Sequence, residues 1–317
     1  MLPFRQILIA ADYSENSREA FHVACSLARP NSTRMVILHA LAPKFNAEDT
    51  VYSTQQTVRF KHIEPDICDY EHDREKLRIG YTPDRPLEVA YRTREGMPAD
   101  VILQEAAETG SDLIVMGTHG RTGLQRLITG SVAEEVLRRA QSPVLAVRQA
   151  IEVGTANSDE VVIHPTDFSE CSKAALQTAR ELARDRGSRL MLVHVVPPEP
   201  MVYESFYIPS DLQSIRESLM AMAGDLEGTD LRHAVAIRLL QGSVADKIVQ
   251  LASEEPGRTF IVLGTHGRSG LNRALMGSVA EAVMRMAKGP VLTVKTPMAQ
   301  SSPSPGEAHK GVVTGRA

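Results

Sequence analysis

The sequence predicts an α/β protein of two tandem doubly wound domains, each a five-stranded parallel sheet with helices on both faces. Three observations predict it. Gly117-Thr118-His119-Gly120, nine residues, then Gly130-Ser131 is repeated as Gly264-Thr265-His266-Gly267, nine residues, then Gly277-Ser278, displaced by 147 residues (264 − 117, 277 − 130). A repeat of that length is a whole domain, since solenoid units run to roughly 20–50 residues. The strand-like segments are short, continuous apolar runs, as expected of parallel strands buried on both faces. These runs alternate with stretches of helical periodicity.

The elements follow in the same order in each half. Ile7–Ala10 and Val161–Ile163 are first strands that run into Asp12-Tyr13-Ser14 and Asp167-Phe168-Ser169. Helices follow over Ser17–Ala28 and Ser172–Arg184, with Ala20, Ala24 and Leu27, and Leu176, Ala179 and Ala183, on one face. Met35–His39 and Leu190–His194 are second strands. The Asp and His offsets are both 155 (167 − 12, 194 − 39), so the first half carries eight extra residues before its glycine loop. Ser210–Leu226 predicts a helix, and Thr57–Ile79, with Pro65 and many charges, is its irregular counterpart. Third strands are expected at Leu87–Thr93 and Ala234–Leu240, then helices at Pro98–Glu108 and Val244–Ser253. Fourth strands cover Asp112–Met116 and Thr259–Leu263. Helices from Ser131 and Ser278 lead to fifth strands at Pro143–Val147 and Pro290–Val294.

This reading divides the chain into a first domain at 1–148, a linker at 149–158, a second domain at 159–296 and a disordered tail at 297–317. Residues 297–317 are rich in Ser, Pro and Gly, with little to bury. A length of 317 residues suits about two domains. A net charge of −4 supplies no global reason to bind nucleic acid. The three cysteines show no CxxC spacing, so neither a disulfide framework nor a zinc site is implied. Cys25 and Cys171 read as small core residues. No apolar run is long enough to span a bilayer and the N-terminus has no signal-peptide layout, so the expectation is a cytoplasmic protein without a membrane partner.

Open α/β sheets bind ligands beyond the carboxyl ends of their strands, where strand order reverses. With an order of 3-2-1-4-5, that point lies between the strands ending at Asp12 and Gly117, and again between those ending at Asp167 and Gly264. An anion there would rest on the amides of Gly120, Gly130 and Ser131 at a helix start. A structural alternative exists for part of the pattern. Ser131-Val132-Ala133-Glu134 and Ser278-Val279-Ala280-Glu281 have the spelling of capping boxes. Gly242-Ser243-Val244-Ala245-Asp246 is spelled almost alike yet follows no GxxG, so Gly-Ser before a helix says little by itself.

The full pattern resembles the G-x2-G-x9-G-[ST] motif of the ATP-binding subgroup of universal stress proteins, in tandem from about Arg5 to Lys295. The resemblance implies the order 3-2-1-4-5 and one ATP, with Mg²⁺ able to accompany it, per domain. It also implies roles. Asp12 and Asp167 would contact the adenosine, and the backbone at Ala40 and Val195 the adenine. Gly117 and Gly264 would lie near the ribose. Gly120, Gly130, Ser131 and Val132, with Gly267, Gly277, Ser278 and Val279, would hold phosphates. Ala10-Ala11 stands where the second half has Pro165-Thr166, so the first adenosine site departs further from the family.

Arg121 and Arg268 beside the second glycines, and His119 and His266 inside the loops, are either phosphate cations or solvated loop charges. His39 and His194 read as satisfied groups near the core. The Walker GxxxxGK[ST], the SGGxDS loop and HxGH are missing, so no catalytic residue is assigned. The expected function is a nucleotide-dependent stress-response regulator. A slow ATPase or phosphotransfer enzyme, and a scaffold with partly empty sites, are the alternatives. The fifth strands are apolar sheet edges, so the two domains are expected to pair through them within one chain, with a homodimer left open.

Overall fold

The computed structural model describes residues 4–28, 33–41, 88–118, 130–148, 160–198, 210–224, 235–266 and 276–295. The irregular region at Thr57–Ile79, the linker and the tail lie outside the described residues. The first half contains strands β1 (Gln6–Ala10), β2 (Arg34–Leu41), β3 (Glu88–Glu95), β4 (Leu113–Gly117) and β5 (Val144–Val147). Its helices are α1 (Glu15–Leu27), α2 (Pro98–Thr109) and α3 (Ser131–Arg139). The second half repeats this with β6 (Val161–Pro165), β7 (Arg189–Val196), β8 (Ala236–Gln241), β9 (Thr259–Gly264) and β10 (Val291–Val294). Its helices are α4 (Glu170–Arg186), α5 (Ser210–Gly224), α6 (Val244–Glu254) and α7 (Ser278–Met286).

The described strands join one sheet of order β3-β2-β1-β4-β5-β10-β9-β6-β7-β8, so each half has the 3-2-1-4-5 order. Pairing is parallel within each half. The exception is the seam, where β5 and β10 run antiparallel with Leu145 opposite Leu292. Each half thus covers the apolar edge of the other, which an unpaired fifth strand would leave as a template for association.

Side chains alternate across this sheet. Ile7 and Ile9 face a core under α1, α4 and α5 that includes Phe21, Leu182 and Phe260. Leu8 faces the opposite core, where Val136, Ile248 and Val283 lie on α3, α6 and α7. Both cores run through both halves, which is why the inner strands read as unbroken apolar runs. At the outer edge, Arg92 and Arg94 of β3 reach the buried Glu105 of α2 at 2.7 and 2.6 Å. Charged groups there blunt the sheet edge.

Two helices start earlier than their periodicity predicts. α1 and α4 begin at Glu15 and Glu170 because Ser14 and Ser169 accept hydrogen bonds from the amides of Ser17 and Ser172, each at 3.2 Å. These N-caps lie before the first apolar position, so apolar spacing misses them.

A polar seam accompanies the apolar one. Arg186, at the end of α4, donates through Nη2 to Glu160 at 2.7 Å and through Nη1 to the Ser26 carbonyl of α1 at 3.0 Å. A further bond joins its Nε to Glu160, and Ser188 donates to the same carboxylate at 2.6 Å. The guanidinium lies 5.0 Å from the Phe260 ring centre.

Candidate functional site

The crevice in each half is made by unequal strand ends. The last β1–β2 pair is Ala10 with Leu38, so His39, Ala40 and Leu41 of β2 extend beyond β1. In the second half Pro165 pairs with Val193, leaving His194, Val195 and Val196 beyond β6. Asp12, Ala40 and Gly117 therefore gather at one set of carboxyl ends, and Asp167, Val195 and Gly264 at the other. These are the strand-order reversals of the observed sheet.

Backbone strain marks both crevices. Tyr13 and Phe168, directly after the two aspartates, have φ of 61° and 67°. Such angles are unusual for bulky side chains and persist where surroundings over-determine them. Here the surroundings are visible. Asp12 Oδ1 accepts from the Ser14 amide at 3.0 Å and its hydroxyl at 2.6 Å, and Asp167 Oδ1 from the Ser169 amide at 3.0 Å. The Tyr13 and Phe168 rings stack at a tilt on His39 and His194, 4.6 and 4.9 Å between centres. Each aspartate is thus also a turn residue, a role its position in the sequence does not reveal.

His39 and His194 are held by the same turns. Their Nδ1 atoms lie 2.7 Å from the carbonyls of Ala11 and Thr166. A carbonyl only accepts, so Nδ1 carries the proton in each ring. This agrees with the reading of both as satisfied groups.

Gly117 and Gly264 are explained by packing. A Cβ on Gly117 would stand 2.9 Å from the Asn16 carbonyl carbon and 3.0 Å from the Ser17 nitrogen. One on Gly264 would stand 2.9 Å from Cys171 Sγ and 3.0 Å from the Cys171 backbone. The starts of α1 and α4 therefore lie directly on the ends of β4 and β9. Gly264→Ala is expected to cost about 1–3 kcal/mol through this overlap. Urea unfolding checks it, and an unchanged midpoint would show that the close approach is not needed.

The structure corrects two expectations about α3 and α7. The N-caps are Gly130 and Gly277, not the serines, and Ser131 and Ser278 are the first helical residues. Glu134 and Glu281 consequently fall one position too late for a capping box. The cause is a backbone tie to the strand exit. The Gly130 and Gly277 amides donate to the carbonyls of Thr118 and Thr265 at 2.7 Å, which sets where each helix begins. Those two amides therefore already have backbone acceptors. The first-turn donors without intrahelical partners are those of Ser131, Val132 and Ala133, and of Ser278, Val279 and Ala280.

The comparison with Gly242-Ser243 becomes concrete. There Ser243 is the N-cap, and Gly242 has φ of 139°, a conformation that favours glycine. Two Gly-Ser pairs with the same spelling thus sit one residue apart in helix register. Gly120, Gly267, His119, Arg121 and Arg268 lie outside the described residues. His266 is described, with Nδ1 2.8 Å from the Thr265 hydroxyl.

The halves differ beneath the second crevice. His164, fourth in β6 where Ile9 is fourth in β1, is fully buried. Its Nδ1 donates to the Val262 carbonyl at 2.9 Å, and its Nε2 lies 3.4 Å from the Ser172 hydroxyl. Ser172 in turn donates to the Thr166 hydroxyl at 2.8 Å, and Thr166 Oγ1 accepts from the Phe168 amide at 3.0 Å. Burial pushes the His164 imidazolium down to about 4. Apolar periodicity does not single out His164, although a histidine at the end of an apolar run is a signal in the sequence.

The fold and crevices define a tandem, doubly wound α/β protein with a helix start and an acidic turn at each strand-order reversal. The profile of the Universal stress protein family matches residues 3–148 and 160–295. This chain belongs to that family. A Staphylococcus aureus (strain USA300) protein named for the universal stress proteins is 32% identical over 153 residues, 47% of this chain and 86% of its own. The crystal structure of a universal stress protein from Archaeoglobus fulgidus DSM 4304 covers 93% of this chain and 98% of its own, at 21% identity and a TM-score of 0.59. Another universal stress protein, solved in complex with cAMP, has 22% identity and a TM-score of 0.34 over 46% of this chain and 98% of its own. Among the described residues no helix is long and apolar enough to cross a membrane.

Proposed function

We propose that each half binds ATP and that the chain acts as a nucleotide-dependent regulator of a stress response. One observation carries this reading. In both halves a helix start is tied to the exit of the fourth strand by a 2.7 Å backbone bond, which leaves three first-turn amides at the strand-order reversal. Phosphates would accept from Ser131, Val132 and Ala133, and from Ser278, Val279 and Ala280. The exposed Ser131 and Ser278 hydroxyls are spared from capping and are available to the same groups. Asp12 and Asp167 would meet the adenosine across the crevice, with the backbone at Ala40 and Val195 beside the adenine. A magnesium ion would arrive on the triphosphate, supplying charge neutralisation between its oxygens.

The domain bodies that carry these sites are assigned to residues 1–148 and 159–296. The experiment is nucleotide analysis of freshly purified protein after denaturation, followed by calorimetric titration with ATP and with cAMP. Adenine nucleotide in the extract, or ATP binding at up to two sites per chain, is expected. An empty extract together with flat titrations would sink the proposal. Saturation by cAMP alone would replace ATP with a cyclic nucleotide.

A further inference from the structure

The nine-residue helices α3 and α7 carry the candidate phosphate cradles at one end and the domain seam at the other. Nine residues span about 13 Å, so the two ends are a short rigid step apart. At the seam end the last carbonyls of a helix have no intrahelical partners. In α3, Ala140 N–H to the Val136 carbonyl is the cap bond, which leaves the Arg138 carbonyl unpaired within its own helix. Its partner comes from the other half: Lys295, the residue after β10, donates through Nζ to the Arg138 carbonyl at 2.8 Å. The reciprocal bond is also present. Arg148, the residue after β5, donates through Nη1 to the Arg285 carbonyl in the last turn of α7. Donors and acceptors are both displaced by 147 residues (295 − 148, 285 − 138), so the exchange follows the internal repeat.

Each donor joins cations already present at its helix end. Arg138 and Arg139 already occupy the last turn of α3, and Arg285 that of α7. The added cation, the third at α3 and the second at α7, is tolerated because a carbonyl and the negative end of the helix dipole face it. Half-burial, which disfavours the charged form, pulls the Lys295 ammonium below the ordinary lysine value.

We propose that Lys295 and Arg148 are positioning residues that hold the opposite half's phosphate helix in place, so each nucleotide site is completed from across the seam. The inference rests on the nucleotide reading above. It makes the halves interdependent binding modules, which similarity to single-domain relatives does not suggest. The antiparallel β5–β10 pair supplies the geometry, because it brings the end of each fifth strand over the helix that precedes the other.

The test uses the full chain as wild type, Lys295→Met, Lys295→Arg and Arg148→Met. Hydrogen exchange by mass spectrometry is read separately over 131–139 and 278–286, and ATP and adenosine are titrated in parallel. Lys295→Met is expected to speed exchange in 131–139 alone and to weaken ATP at one site about five-fold, the size of a helix-end charge effect. Adenosine affinity should stay constant, because the helix start meets phosphates only. Lys295→Arg should restore both readouts, and Arg148→Met should give the mirror image in 278–286. Equal loosening of both helices, no change in either, or a parallel loss of adenosine binding would overturn the proposal. Absence of ATP binding by the wild type would overturn the nucleotide reading and this inference together. That outcome is separate from the others, which occur in a chain that binds ATP.

Discussion

Replacing Arg186 with methionine is expected to destabilise the protein by about 3–5 kcal/mol, with a fall in Tm on the order of 10 °C. Arg186 is 7% exposed and Glu160 6%, and the guanidinium engages both carboxylate oxygens. Methionine fills much of the same volume but strands Glu160 in the interior with Ser188 as its remaining direct donor. It also removes the bond to the Ser26 carbonyl, which connects α4 to α1 across the two halves. Lysine should rescue little, since a single ammonium cannot reproduce the forked contacts. The double change Arg186→Met with Glu160→Gln should recover part of the loss, because the Glu160 carboxylate is then no longer buried as an ion without its guanidinium, although Arg258 loses a neighbouring carboxylate. Thermal and urea unfolding measure both, and a loss below about 1 kcal/mol would place Arg186 among ordinary surface ion pairs.

The second large effect is a pH dependence from His164. Its folded value is about 4, against an ordinary 6.5, with burial as the cause. Between these values the unfolded chain binds a proton that the native state excludes, so stability rises with pH across that window. The contribution is complete above pH 6.5 and is lost as pH falls towards 4, amounting to about 3 kcal/mol. His164→Ile, which copies Ile9 of the first half, should remove this slope while the carboxylates of the rest of the chain titrate as before. The readout is the difference in unfolding free energy between wild type and variant at several pH values. Parallel curves from pH 7 to pH 4 would refute the assignment.

Sequence reading and structure part company at particular residues for physical reasons. The inner strands are legible because both faces of the sheet are covered there, which makes them apolar runs, whereas the edge strands β3 and β8 carry charged or polar positions. Helix starts are less legible. Ser14 and Ser169 cap their helices through side-chain oxygens, before any apolar periodicity begins. At Ser131 and Ser278 the local spelling promises a cap, but the backbone tie from Gly130 and Gly277 moves the helix start back by one residue. The glycine pattern suggests a ligand at Gly117 and Gly264, whereas the structure shows a packing cause in the helix starts that lie against them. Lys295 and Arg148 were invisible in sequence because their partners are main-chain carbonyls 157 and 137 residues away.

By itself, the sequence determined the duplicated α/β architecture, the strand ends at which a crevice can form, and membership of the universal stress protein family. Periodicity, apolar runs and the 147-residue repeat are properties of neighbouring positions along a chain, and a reader of the chain has them all. Only the tertiary structure decided which amides of the glycine pattern already have backbone partners, that His164 is held in the core by Val262 and Ser172, and that each half donates to a last-turn carbonyl of the other's α3 or α7. Those outcomes depend on hydrogen bonds between segments from 98 to 157 residues apart, or on the one-residue register of a helix, and local spelling specifies neither.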